Sequence, residues 1–272
     1  MALFPGGESS LLSKVILGFI LSILIVTFMN DTLMDNSLQL KEKFIRPLNN
    51  TLEQHSIQIR QIDQMQILQW FEIGARRKTK FLHEASNWDY LSEKQFNNIV
   101  DHVLIQIPIR QGNTIFELGC GVGAVLQRIR QIHGTNISLG GSDLSVHAIE
   151  KVRKVFPREA ENFYVLSMTK KNDLIPENSQ DHVISFGALA MYLYKDQMEE
   201  ALQEAIRIIK PGGRMCFTHF IEPGGKRKWS IIEPVKKSYW SQLVKKYFLQ
   251  NLVILQMVHQ GDRYFVCFSK SV

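Results

Sequence analysis

The sequence predicts an α/β fold: a parallel sheet with helices on both faces, preceded by a membrane-spanning helix and a helical stalk. Three observations predict it. From Thr114 onward, strand-like and helix-like stretches alternate. A glycine loop, Gly119-Cys120-Gly121-Val122-Gly123, stands between the first strand and first helix of that series. Far upstream, Val15–Met29 runs fifteen residues without a charge. Alternation of this kind gives parallel strands, because each return to the same sheet edge needs a crossover, most often a helix.

The elements follow in order. Leu11–Met29, interrupted only by Lys14 among charged residues, approaches the roughly 20 residues that cross a hydrocarbon core, and a lysine near the end can snorkel to the interface. The run ends Thr27-Phe28-Met29-Asn30, without the small residues of a cleavage site, so an uncleaved single-pass anchor is expected. Counting cations around it (Lys14 before; Lys41, Lys43 and Arg46 after) places the following domain in the cytosol. Net charge argues the opposite, and Asn49-Asn50-Thr51 is a glycosylation sequon. Ile45, Leu48, Leu52, His55, Ile59 and Ile62 step by three and four, so residues 38–70 read as a helical stalk through which self-association is expected. The predicted divisions are 1–37, 38–70 and a globular domain over 71–272.

Within that domain the predicted strands are Thr114–Leu118, Ile137–Leu139, Phe163–Leu166, His182–Phe186 and Arg214–Phe220. The helices between them are Val122–His133, Val146–Phe156 and Gln197–Ile209. Two final strands, Leu252–Val258 and Arg263–Phe268, flank Gln260-Gly261-Asp262, a tight turn that makes an antiparallel hairpin.

Composition narrows the class. In 272 residues, 45% hydrophobic and 21% charged content with 17 Gly and 8 Pro exclude a disordered, collagen-like or disulfide-scaffold chain. Cys216 and Cys267 lie in apolar strand-like runs and Cys120 between glycines, so buried free thiols are expected, which favours a reducing compartment. No CxxC pair is present, so no structural zinc site is expected. The net charge of +6 is concentrated in residues 224–272, where nine Lys/Arg oppose two Asp/Glu. An anionic partner or a plain solvated face would both account for it.

The glycine loop lies where an open α/β sheet binds its ligand, beyond the carboxyl ends of the strands. Gly119, Gly121 and Gly123 allow a sharp strand-to-helix turn with no side chain between backbone and ligand. Asp143 ends the second strand, twenty-four residues after Gly119, where a carboxylate can accept both ribose hydroxyls of a nucleoside cofactor. Gly119-x-Gly121-x-x-Ala124 also fits a dinucleotide fingerprint. Three features favour a different cofactor: the acid Glu117 in the first strand, Lys210-Pro211-Gly212-Gly213 before the fifth, and the terminal hairpin.

On these residues the sequence resembles the class I S-adenosylmethionine (SAM)-dependent methyltransferases of the type-11-like kind, over about residues 110–270. The resemblance rests on ELGCGVG (117–123), SDLS (142–145), DLIPENSQDHVISFGALAMYL (173–193), IIKPGGRMCF (208–217) and the hairpin. It implies a Rossmann-like seven-stranded sheet and SAM as cofactor. Glu117 with Gly119, Cys120, Gly121 and Gly123 would hold the methionine end, and Asp143 with Leu144 the ribose side. Asp181 would open the fourth strand, whose exit at Phe186-Gly187-Ala188 would line the pocket. Ser167 and Met168 stand where the family often has an acid near adenine, and Met168 would pack on the ring.

Methyl transfer from a sulfonium is an in-line displacement, so positioning supplies much of the acceleration, and a base is needed only if the acceptor must lose a proton. His219, Tyr192 and Glu222 are the candidates; a structural histidine and an aromatic lid are the plainer readings of the first two. His147 is expected at the surface. Val235, Tyr239, Trp240, Leu243, Val244, Tyr247 and Phe248 follow a 3.6-residue period beside Lys236, Lys237, Lys245 and Lys246, after Lys226-Arg227-Lys228-Trp229. That describes either a packed helix with a solvated lysine face or a basic-aromatic surface against lipid.

The expectation is thus a membrane-anchored methyltransferase acting on a small-molecule or lipid-like acceptor, with no nucleic acid and no metal. The alternatives are a non-catalytic anchored scaffold of the same fold and an NAD(P)-dependent oxidoreductase.

Overall fold

The computed structural model describes residues 65, 68–69, 71–189, 195–220, 237–256 and 263–272. These belong to one unit spanning Ile62–Val272. The predicted span at 11–29 and nearly all of the 38–70 stalk lie outside the described residues, as do Tyr192, Glu222 and the 226–229 basic cluster. Among the described residues no helix is long and apolar enough to cross a membrane.

A helical turn at 71–76 and a single π turn, Glu84–Trp88, precede helix α1, Glu93–Leu104. Ser92 caps α1 through a reciprocal box. Its hydroxyl accepts from the Gln95 N–H at 3.3 Å, and the Gln95 side chain accepts from the Ser92 N–H at 3.0 Å. Phe96, Ile99, Val100 and Val103 form the buried stripe of α1. The alternating series then runs β1 Thr114–Leu118, α2 Ala124–His133, β2 Ser138–Asp143, α3 Val146–Val155 and β3 Phe163–Val165. It continues with β4 Gln180–Ser185, α4 Lys195–Ile208, β5 Ile209–Phe220, α5 Lys237–Lys246, β6 Gln250–Gln256 and β7 Arg263–Ser269.

Among the described residues the sheet has seven strands in the order β3-β2-β1-β4-β5-β7-β6. Strands β1 to β5 are parallel, and β7 runs antiparallel between β5 and β6. The predicted hairpin is therefore present, with its second strand inserted against β5. The chain steps outward from β1 through β2 to β3, then returns to β4 on the other side of β1. The switch point lies between β1 and β4.

Strand alternation sorts the core into two layers. Ile115, Ile184, Cys216 and Phe265 face α1, α2 and α3; Phe116, Val183, Met215, Phe217 and Val266 face α4 and α5. In α5 the packed-helix reading holds over the described stretch. Trp240 is fully buried and donates its indole N–H to the Tyr264 hydroxyl at 3.0 Å, while Lys246 pairs with Glu199.

One expectation is overturned. Cys216 and Cys267 are disulfide-bonded, and only Cys120 is a free buried thiol. The apolar runs were rightly read as buried strands. However, the β5–β7 register sets the two residues directly opposite, with Cα atoms 4.2 Å apart, although 51 residues separate them in the chain. The argument for a reducing compartment falls with the free thiols.

At the amino-terminal edge of the sheet, Asp181 ties three strands together. Its carboxylate accepts from the Thr114 N–H at 2.8 Å, the Thr114 hydroxyl at 2.9 Å and the Lys210 ammonium at 2.8 Å. Burial pushes its pKa up, but the bonds from Lys210 and Thr114 outweigh that and hold the group below the usual carboxylate range. Its contribution is therefore present above the unfolded carboxylate pKa and is lost as pH falls through the folded one. Asp181→Ala, which leaves the Thr114 N–H unpaired, should lower unfolding free energy by about 1–3 kcal/mol in urea titrations at pH 7. The deficit should shrink under acid conditions.

Candidate functional site

At the opposite end of the sheet, the carboxyl ends of β1, β2 and β4 surround the glycine loop. The Gly119 and Cys120 N–H groups both donate to the Ser142 carbonyl, at 2.7 and 2.9 Å. The Gly121 N–H donates to Asp143 Oδ2 at 2.8 Å, and the Ser145 N–H to Asp143 Oδ1 at 2.8 Å. Asp143 thus holds the loop in place and begins α3, and the Leu144 N–H bonds its carboxylate as well.

The loop leaves little room for a side chain at its glycines. Gly119 has φ +72°, and a Cβ there would lie 2.2 Å from Ala188 Cβ and 2.9 Å from Met168 Cε. Ala188 follows β4 and Met168 follows β3, so the segments after three strands converge on this glycine. A Cβ on Gly121 would lie 3.3 Å from the Ser86 hydroxyl, which belongs to the π turn.

Two acids border the loop. Glu117, 2% exposed, has no partner for Oε2 among the described residues. Burial, and then the charge of Asp143, push its pKa well up, opposed by a backbone hydrogen bond from Phe186. Burial also raises half-buried Asp143, against the bonds from Ser145 and Gly121. Cys120 is pushed up by burial and by both acids, which keeps the thiol protonated and unreactive. A buried carboxyl lacking a cationic partner invites a cation.

The other predicted residues fall as follows. Leu144 is exposed beside Asp143. Ser167 bonds Thr169 through its hydroxyl at 2.9 Å. The Phe186 ring packs into the core 5.3 Å from the Phe265 ring, so its backbone N–H, and not its ring, approaches Glu117. His219 occupies β5 opposite Tyr264. His147 is not simply at the surface: its Nδ1 pairs with Glu72, whose charge also reaches Asp143. Residues 71–89, read from sequence only as packing helices, thus meet the loop. Nothing in their spacing marks them, because they reach it only through tertiary packing.

Comparisons with known proteins agree with this geometry. Residues 115–213 match the family described as a methyltransferase domain. The chain is 25% identical over 164 residues to the chloroplastic tRNA (mnm5s2U34)-methyltransferase of Arabidopsis thaliana, covering 53% of this chain and 60% of that protein. It is 26% identical over 138 residues to the ubiquinone/menaquinone biosynthesis C-methyltransferase of Citrobacter koseri, covering 48% and 49%. The chain therefore spans about half to 60% of the length of these relatives. Among solved structures, a chain from the complex of the Haloferax volcanii Trm112 methyltransferase activator is similar at TM-score 0.58, with 16% identity, over 74% of this chain and 98% of that one. Haemonchus contortus phosphoethanolamine N-methyltransferase 2, solved with S-adenosyl-L-methionine, is similar at TM-score 0.51, with 14% identity, over 64% and 53%. Over residues 115–213 the chain is thus similar to a methyltransferase domain, and the solved neighbours share its fold. A relative named for tRNA also removes the ground for excluding nucleic acid.

The raised Glu117 pKa carries a stability consequence. The folded state holds this proton to higher pH than the unfolded chain, so the group costs stability as pH rises through its folded pKa. Glu117→Gln should raise the melting temperature of the unliganded protein at pH 8. The gain should fade as pH approaches 4.5, the ordinary glutamate value.

Proposed function

We propose that the chain transfers a methyl group from SAM to a small-molecule or lipid-like acceptor at a membrane. The observation that carries this reading is the buried Glu117 Oε2, without a partner among the described residues, beside a loop crowded at Gly119. When bound, SAM supplies an electrophilic methyl on a sulfonium sulfur. Glu117 would accept from the cofactor's ammonium, Asp143 would accept from the ribose hydroxyls, and exposed Leu144 with Met168 would flank the adenine. Methyl transfer would then be in-line, the acceptor–methyl bond forming as the sulfur–methyl bond breaks, with S-adenosylhomocysteine as leaving group. His219 and Tyr192 remain the candidates for removing an acceptor proton.

An ammonium beside Glu117 lowers its pKa, so binding releases protons and tightens as pH rises. Calorimetric titration of SAM into the full chain, in buffers of different ionisation enthalpy, should show that release. Asp143→Ala should weaken binding by about 1–3 kcal/mol. Absence of binding by folded wild-type protein would remove the enzyme reading and leave the anchored scaffold.

A second acceptor class has a specific observation behind it. Arg76, Lys78 and Lys80 are exposed in one short stretch that Lys151 ties to α3, donating to the Arg77 carbonyl at 3.0 Å. A basic stretch beside the site suits a phosphate backbone, and one similar protein is named for tRNA. Incubation with methyl-labelled SAM and cell extract separates the classes: label in the organic phase supports the first reading, label in RNA the second.

For location, the 11–29 run anchors the chain, and the flanking cations keep the domain cytosolic. Resistance to carbonate extraction and a protease-accessible domain are the expected results. A glycosidase-sensitive mass shift abolished by Asn49→Gln would place the domain on the opposite side.

A further inference from the structure

The ladder between β4 and β5 ends where Ser185 pairs with Phe217. Beyond that pair the chain turns through Phe186, Gly187, Ala188 and Leu189, and Gly187 takes φ +81°, a conformation glycine adopts readily. Phe186, Gly187 and Leu189 are buried, so backbone donors here need partners that the ladder no longer supplies. Two buried hydroxyls supply them. Ser185 Oγ accepts from the Leu189 N–H at 3.3 Å, and Thr218 Oγ1 accepts from the Gly187 N–H. Thr218, 3% exposed and one residue past the last β4–β5 pair, also donates to the Ser185 carbonyl over a long 3.5 Å. Opposite Thr218 on β7 lies Phe265, whose ring packs against Phe186. One β5–β7 pair therefore grips the turn through both a hydroxyl and a ring.

The gripped turn meets the candidate site on either side of Gly187. Just before it, the Phe186 N–H reaches the buried Glu117 carboxyl. Just after it, Ala188 Cβ lies 2.2 Å from where a Cβ on Gly119 would stand. We propose that Thr218 is a positioning residue for the methyl-transfer site: by holding the Gly187 N–H it sets Phe186 against Glu117 and Ala188 against Gly119. It acts through the turn. Its consequence for the cofactor rests on the SAM reading above, whereas its hold on Glu117 can be measured without SAM.

Thr218→Val keeps the branched shape, removes the hydroxyl and leaves the buried Gly187 N–H unpaired. Thr218→Ser keeps the hydroxyl. Asp181→Ala, which takes a partner from the Thr114 N–H at the opposite end of the sheet, controls for lowered stability alone. In the full-length protein, carbon-13 NMR follows the Glu117 carboxyl without ligand, its signal identified by loss in Glu117→Gln, and calorimetry follows SAM. In Thr218→Val the Glu117 carboxyl should titrate at higher pH than in wild type, because the Phe186 N–H no longer steadies its charged form. SAM should bind that variant about tenfold more weakly. Thr218→Ser should bring both readings back, with SAM bound within about twofold of wild type, and Asp181→Ala should change neither. An unmoved Glu117 titration or unchanged SAM affinity in folded Thr218→Val would overturn the assignment, as would the same changes in Asp181→Ala. A moved titration in a protein whose wild type binds no SAM would overturn the SAM reading and leave the hold of Thr218 on Glu117 standing.

Discussion

The carboxylate of Asp143 is the tie on which the carboxyl end of the sheet depends. One oxygen holds the Gly121 N–H and the other the N–H of Ser145, so a single side chain fixes both the loop after β1 and the start of α3. With the Ser142 carbonyl taking two more loop N–H groups, four backbone donors are satisfied at the tip of β2. Backbone groups at such a sharp turn have no ladder of their own, and leaving them unpaired away from water would be costly. The carboxyl end of the sheet is thus built first as a solution to a hydrogen-bonding problem of the fold.

That solution sets the electrostatics of the site. Glu117 is drawn into the core by its place in β1, beside a carboxylate already committed to the loop. Burial and like charge both disfavour ionisation, and no cation among the described contacts relieves them. The unliganded protein therefore stores an unfavourable arrangement that a cationic ligand can release. Cys120, one residue into the loop, takes the opposite consequence: the same two acids suppress its thiolate. At the far end of the sheet Asp181 has Lys210 and two bonds from Thr114, and its carboxyl moves the other way. Position relative to a cation, not residue type, separates the structural acid from the candidate ligands.

The two ends also differ in how they could be read. The glycine spacing, Glu117 and Asp143 were legible because a strand–loop–helix unit is local, and its chemistry lies within thirty residues. Lys210-Pro211-Gly212-Gly213 was legible as a marker of the fold, although its lysine serves to hold Asp181. Phe186 was placed correctly at the exit of β4, but the direction of its ring depended on Phe265 across the sheet.

What the sequence determined by itself was the order of elements, their alternation, the amphipathic face of each helix and the glycine loop at the carboxyl end of the sheet. All of these follow from periodicity and turn chemistry over short spans. Only the tertiary structure decided which distant residues meet. It paired Cys216 with Cys267 through the insertion of β7 beside β5, and His147 with Glu72 across seventy-five residues. It also brought Ser86 against Gly121, thirty-five positions downstream. Such meetings are set by strand order and by packing between layers, which no local pattern of residue types encodes.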